Sequence, residues 1–422
     1  MDQRYIPISH PMMRARILCI LLSIHTFGAF AQNKSELRIA GDCHDAVPIT
    51  LVKPSQYGPT QSPHLFGAKQ EITSTDRNSE VSFAQEHNSA WYLLSIKYDG
   101  ELTFEIVPTD STNDYDFLLY PYRDSTFCDQ LMARRISPIR SNIAANVHAL
   151  DHGATGLSQT ARQDFHRQGV GDQFSRSLAV KKGEKYMLVL DNVTPNGRGH
   201  TIFFHTLISA AIKGQVLGGD SLPIVADVQL SDPKGQTVAQ TRTDASGKYD
   251  FKATIERNTS YSLTFSNDSS FIGTKIINTS NTKDGHTFPE IKTVLPKLKK
   301  GGKYTLGNIN FYGNVAILLP ESYPSVEALA KLMKKNKHMR IMIEGHVNGA
   351  GATEAEKRST EYQELSENRA KTVRLCLLNA GIAADRMQTI GYAATQMLFP
   401  KAVDEDEQKA NRRVEIRVIS IE

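Results

Sequence analysis

Between residues 36 and 208 the chain alternates short apolar runs with polar turns. The runs Trp91-Tyr92-Leu93-Leu94-Ser95-Ile96, Leu102-Thr103-Phe104-Glu105-Ile106, Phe117-Leu118-Leu119-Tyr120, Tyr186-Met187-Leu188-Val189-Leu190 and Thr201-Ile202-Phe203-Phe204 are rich in aromatic and β-branched residues. Gly, Asp, Asn and Pro bound them, which predicts strands, and their succession predicts a β-sandwich. Residues 128–174 carry fewer strand signals and predict a packed surface loop with a short helix, or else a partner-binding insertion. A second β-rich unit spans 211–295, where Ile212 to Val216, Ala226 to Leu230 and Tyr261 to Phe265 alternate inward and outward side chains. In its Asp244-Ala245-Ser246-Gly247 turn, Gly247 supplies a positive φ without a Cβ penalty.

The pattern then changes period. Residues 296–308, with Lys297, Lys299, Lys300, Gly301, Gly302 and Lys303, predict a linker or a solvated strand edge. Val326, Leu329, Ala330 and Met333 fall on one helical face, with Ser325 as the expected N-cap. Met339 to Glu344 alternates as a strand, and Ala370, Val373, Leu377 and Ala380 form a second helical stripe that ends at Gly381. Val414-Glu415-Ile416-Arg417-Val418 alternates again. The expected fold is therefore multidomain: two β-sandwiches followed by an α+β unit, with helices on one face of a mixed sheet.

Three blocks within residues 309–422 carry the most functional information. They are Ile343-Glu344-Gly345-His346-Val347-Asn348-Gly349, Leu365-Ser366-Glu367-Asn368-Arg369-Ala370 and Asn411-Arg412-Arg413-Val414-Glu415-Ile416. In order and spacing this region resembles the OmpA-like peptidoglycan-binding domain. The resemblance implies that Arg369, in the L-S-x-x-R-A block, grips a carboxylate of diaminopimelate in a stem peptide; a planar guanidinium donates two parallel hydrogen bonds to one carboxylate. It also implies that Asn348 faces the amino end of that ligand, at a position where the family's G-H-T-D block has aspartate. An asparagine there retains an amide oxygen and loses the charge, a difference on the order of 1 kcal/mol. Gly345, His346, Leu365, Asn411 and Arg412 complete the implied peptidoglycan-binding set. Asn348 also reads as a turn residue beside Gly349, and His346 as a structural hydrogen-bonding histidine. One of Arg412 and Arg413 is expected at the groove and the other in solvent.

Two weaker resemblances concern the β-rich regions. Trp91 through Asp114-Tyr115-Asp116-Phe117 to Tyr120 is similar to the pre-peptidase carboxy-terminal-like jelly roll, and residues 211–295 resemble a carboxypeptidase regulatory-like, transthyretin-type sandwich. Both imply binding or spacer modules.

Composition narrows the class. With 422 residues, 40% of them hydrophobic, the chain has room for two to four domains. A formal net charge of +4 is too small for a nucleic-acid footprint. Residues 1–31 predict a secretory signal, with basic Arg14 and Arg16, an apolar stretch from Ile17 to Phe30 and the small-residue pattern Ala29-Phe30-Ala31. Export makes Cys43 and Cys128 a disulfide candidate, worth about 4 kcal/mol in the chain-entropy account. Cys376 reads as a buried thiol acting as a small hydrophobe. No cofactor is expected, although Asp110, Asp114 and Asp116 offer oxygen ligands of the kind Ca²⁺ takes. His148 and His152 stand four apart without a third metal ligand nearby, and no nucleophile elbow, zinc-protease helix or phosphate loop occurs.

The expectation is a non-enzymatic protein of the periplasm, associated with the outer membrane and the wall. It binds peptidoglycan through its last domain and reaches an outer-membrane or periplasmic protein through the sandwiches. A scaffold subunit of a secretion or motility machine, and a secreted hydrolase with an unrecognised site, are the other readings.

Overall fold

A computed structural model describes residues 37–73, 81–145, 153–281 and 287–421. The expected signal segment 1–31 and the pair His148 and His152 lie outside the described residues. The fold is mostly β, with several sheets and a few helices.

Six strands make the first sheet, in the order Val47–Leu51, Ser89–Ile96, Lys185–Asn192, Tyr115–Tyr122, Arg140–Ala145, Phe165–Val170. Its near-continuous apolar runs follow from burial on both faces. Tyr92, Leu94, Phe117, Leu119, Leu188 and Leu190 pack against Leu102, Phe104, Ile106, Ile202 and Phe204 of a second sheet. On the other face, Trp91, Leu118, Tyr120, Met187 and Val189 pack under Phe127, Leu131, Ile72 and Phe83. Cys43 and Cys128 form a disulfide within that covering layer, Cα to Cα 6.0 Å.

The region expected as a long loop is structured. It holds the helix Phe127–Met132 and the strands Arg140–Ala145, Thr155–Ser158, Phe165–Val170 and Phe174–Arg176, which extend both sheets. Several of these strands are polar, as in Phe165-His166-Arg167-Gln168, because they lie toward sheet edges where ladder hydrogen bonds rather than apolar burial hold them. Asp110 turns its carboxylate onto the backbone and hydroxyl of Thr112, while Asp116 is buried. The three aspartates proposed for Ca²⁺ do not converge: among the described residues the one group with ligating atoms that close is elsewhere.

A 19-residue strand, His200–Gly218, crosses the boundary expected at 208–211. Its first half pairs with Gly100–Pro108, and its second half with Lys248–Glu256 and Ile291–Leu295. Ser209-Ala210-Ala211 carries no Gly, Pro, Asn or Asp, and the ladder runs through, so the two β-rich regions share one sheet. Ile208, Ile212 and Val216 of this strand then pack on Val228, Leu230, Leu263 and Phe265 of a four-stranded sheet.

The last sheet has the order Lys303–Thr305, Val414–Ser420, Arg340–Gly345, Met387–Gly391. Its first strand, at the sheet edge, lies inside the stretch expected as a linker or a solvated strand edge. Tyr304 explains this: it is buried and stacks on Phe271 at 4.6 Å between ring centroids, which ties residues 303–305 to the neighbouring sheet. Phe271, Ile272 and Leu298 belong to the same core as Val326, Leu329 and Met333, so no solvated gap separates these units. Helices Tyr323–Lys335 and Thr360–Asn379 cover one face of the sheet. The first begins at Tyr323, with Ser322 at the N-cap position rather than Ser325, which is buried and shares a hydrogen bond with Thr274. Pro324 suits the first turn because its missing N–H is one the helix leaves unpaired there. The second helix ends where Gly381 takes φ 86°, and Cys376 is a buried free thiol.

Beside the disulfide, Glu86 is 2% exposed. Its carboxyl accepts from Ile72 N–H at 3.0 Å and from the Ser89 hydroxyl at 3.1 Å. Burial, then the neighbouring Glu71, push it from an ordinary 4.5 up to about 8. The folded protein therefore keeps a proton that the unfolded chain loses near 4.5. The corresponding stability is complete below that pH and is lost as pH rises through about 8. Unfolding in urea at pH 5 and at pH 8 should show a loss on the order of 2 kcal/mol, and Glu86→Gln should flatten most of it. An unchanged pH slope in Glu86→Gln would remove Glu86 as the cause.

Candidate functional site

The site is built where two strands end and one helix presses down on them. Gly345 and Gly391 are register partners in a parallel pair. A Cβ on Gly345 would stand 2.0 Å from the Ser366 carbonyl oxygen, and one on Gly391 would stand 2.4 Å from the Ser366 hydroxyl. Glycine at both positions lets the Thr360–Asn379 helix approach more closely than side chains allow. Ser366 locks the contact: its hydroxyl donates to Gln363 O and accepts from Ala393 N–H. Val347 N–H in turn donates to Ala393 O. Asn348 and the Ser366–Ala370 turn of the helix therefore lie at the same end of the domain.

Arg369 is 2% exposed. Its Nη2 donates to the Gly313 carbonyl at 3.1 Å, and the guanidinium lies 5.0 Å from the centre of the Phe311 ring. Among the described residues its Nε and Nη1 have no acceptor and no carboxylate pairs with it. Burial, then repulsion from Arg412, lower its pKa from the ordinary arginine range to about 10. A largely exposed turn, Tyr312 to Ile317, covers the fork, held to the helix by that Gly313 bond and by the Thr372 hydroxyl donating to Ala316 O. Leu365, a turn earlier on the helix, is half-buried and takes no part in these polar contacts.

Asn348 is half-buried, and its Oδ1 accepts from Asn411 Nδ2 at 2.9 Å. Asn411 is fully buried and pins the following loop, accepting from Phe399 N–H at 2.9 Å and donating to Phe399 O at 2.8 Å. Arg412 is half-buried and pairs with Glu405. The neighbouring Arg413 is buried, with Nε 3.1 Å from Glu415 and Nη2 donating to Gln396 O, so neither arginine of the pair lies fully in solvent.

His346, expected among the ligand-binding residues, is 1% exposed and faces the protein interior. Its ring stacks on Tyr392 and its Nε2 lies 3.0 Å from Glu415 Oε2. Burial lowers its pKa against the pull of Glu415. It belongs to a network that sequence reading missed. Glu344 and Glu415 are cross-strand partners. Lys303 reaches both carboxylates, at 3.0 and 2.8 Å, and Arg417 reaches Glu344 at 2.6 Å. Burial alone would raise the Glu415 pKa, but His346, Lys303 and Arg413 outweigh it and hold the carboxyl well below its usual range. Two like charges directly opposite on neighbouring strands were the available signal, since they require a cation between them. Glu344, His346 and Glu415 are close enough to hold a metal ion. Three cationic side chains already neutralise the two carboxylates, so the set does not call for one.

The last unit is thus an α+β domain whose helix is seated on two glycines and carries a buried arginine. Residues 310–412 match the OmpA family profile, and the last quarter of the chain is an OmpA-family domain. Outer membrane porin F of Pseudomonas aeruginosa is 35% identical over 98 residues, which cover 23% of this chain and 26% of that protein. The peptidoglycan-binding protein ArfA of Mycobacterium bovis is 32% identical over 114 residues, covering 27% of this chain and 33% of the relative. A solved outer membrane protein of Borrelia burgdorferi aligns at 28% identity over 28% of this chain and 87% of its own, with a TM-score of 0.21. The chain thus spans about a third or less of the curated relatives it matches. No described helix is long and apolar enough to cross a membrane.

Proposed function

We propose that this is a non-enzymatic envelope protein that binds peptidoglycan stem peptides non-covalently through its last domain, and that the β-rich regions act as a spacer toward another envelope component. The observation that carries the reading is Arg369, a buried guanidinium with two donor nitrogens unpaired and no carboxylate of the protein beside it. A buried fork left this way is costly unless a ligand carboxylate completes it. The diaminopimelate carboxylate fits that geometry. It enters as the Tyr312–Ile317 turn swings aside, which costs two hydrogen bonds. The names of relatives such as ArfA support the wall as the target. The Cys43–Cys128 disulfide supports an oxidising, exported location. The sheet shared by the two β-rich regions, and the core shared with the last domain, support a stiff spacer rather than a flexible tether.

Sedimentation with isolated sacculi tests this. The full chain is expected in the pellet, and Arg369→Ala should weaken binding on the order of 100-fold, the worth of a charge-assisted pair of hydrogen bonds. Recovery of both proteins in the supernatant, or equal binding by both, would sink the proposal.

A further inference from the structure

The hydrogen bonds around Asn348 set which end of its amide faces a ligand. Backbone groups of Phe399 fix the orientation of Asn411 without ambiguity. Phe399 N–H can only donate, so it meets Asn411 Oδ1, and Phe399 O can only accept, so it meets Asn411 Nδ2. The second hydrogen of Asn411 Nδ2 then points at Asn348, which must present its oxygen in return, as the 2.9 Å contact shows. Ala350 N–H approaches the same oxygen at 3.4 Å. The end of the Asn348 side chain left over is Nδ2, a donor. Sequence reading allowed this asparagine to accept from a ligand ammonium through its oxygen; the structure has already spent that oxygen. Arg369, the other side chain assigned to the ligand, likewise has only donors, two of its nitrogens buried and unpaired among the described residues.

We infer that the second position of this site takes a hydrogen-bond acceptor and rejects a free ammonium. Resting on the wall-binding proposal above, this narrows the ligand to a stem peptide whose diaminopimelate amine is acylated, as it is where two stem peptides are joined. An acylated amine carries no positive charge to meet Arg369 and Arg412, and its carbonyl oxygen can accept from Asn348 Nδ2. An aspartate at position 348 would reverse the preference, because one carboxylate oxygen would still satisfy Asn411 while the other accepted from an ammonium.

Calorimetric titration of the full chain with diaminopimelate and with its mono-N-acetyl derivative tests the inference. Wild type is expected to bind the acetylated form about fivefold more tightly, the worth of one neutral hydrogen bond. Asn348→Asp, nearly isosteric in a half-buried loop, should bind the free amine about tenfold more tightly than the acetylated form. A wild-type preference for the free amine, or no preference between the two, overturns the inference while leaving wall binding intact. If neither wild type nor Asn348→Asp binds either compound, the wall-binding proposal fails and this inference fails with it.

Discussion

Arg369→Met is expected to stabilise the last domain by about 2 kcal/mol while removing its wall binding. Both effects have one origin. The guanidinium is buried with a single hydrogen bond, to Gly313 O, and its Nε and Nη1 are unpaired. Desolvation favours its neutral form so far that the pKa falls to about 10, and Arg412 adds repulsion. The unfolded chain keeps that proton to higher pH, so the cost of the buried charge is relieved only as pH rises above about 10 and is fully present at neutrality. Methionine has similar reach, fills irregular space and leaves no charge to desolvate. Against it stands the contact of the guanidinium with Phe311, worth about 1 kcal/mol, which is too little to reverse the sign. Urea unfolding and sacculus sedimentation on the same preparation read the two effects separately. A variant less stable than wild type would show that Arg369 is a structural residue, and the site would lose its main support.

Gly345→Ala is expected to destabilise the same domain by about 4 kcal/mol, enough to leave much of it unfolded at 37 °C. The added carbon would sit 2.0 Å from the Ser366 carbonyl, so the helix would have to retreat by about 1 Å along its contact with the strands. That movement would also pull Ser366 from Ala393 and shift Arg369 relative to Asn348. Gly351→Ala is the control. Gly351 has φ 83° and open space around a new Cβ, so its cost should be only the backbone penalty of about 1 kcal/mol. Comparable losses in the two variants, read from urea midpoints, would rule out close helix approach as the reason for Gly345.

The three sequence blocks did not carry equal information. Gly345 and Arg369 were readable because each has a local context that demands a residue type: a strand end under a helix, and a cation in a fixed helical frame. Arg412 and Arg413 were not separable, since adjacent residues in a strand entry point opposite ways and either could have been inside. The structure puts Arg413 against Glu415 and Arg412 beside Glu405. His346 looked like part of the binding block because it sits between Gly345 and Asn348, yet its ring turns under the sheet to Glu415 and Tyr392. The choice left open at 296–308, between a linker and a solvated strand edge, was undecidable for a related reason. A linker is inferred from polar, glycine-containing sequence, but Tyr304 alone anchors the Lys303–Thr305 strand, and one aromatic residue is too weak a pattern to reveal it.

What this chain's sequence determined by itself was the kind of element in its strongly periodic segments and the presence of an OmpA-like end, because side-chain period and local motif are properties of neighbouring residues. The shared 19-residue strand, the buried charge network and the outward face of Asn348 were decided only by tertiary structure. Each depends on which distant backbone or side chain arrives opposite. For Asn348 the deciding partners are Asn411 and, behind it, Phe399, whose backbone allows only one orientation of the amide.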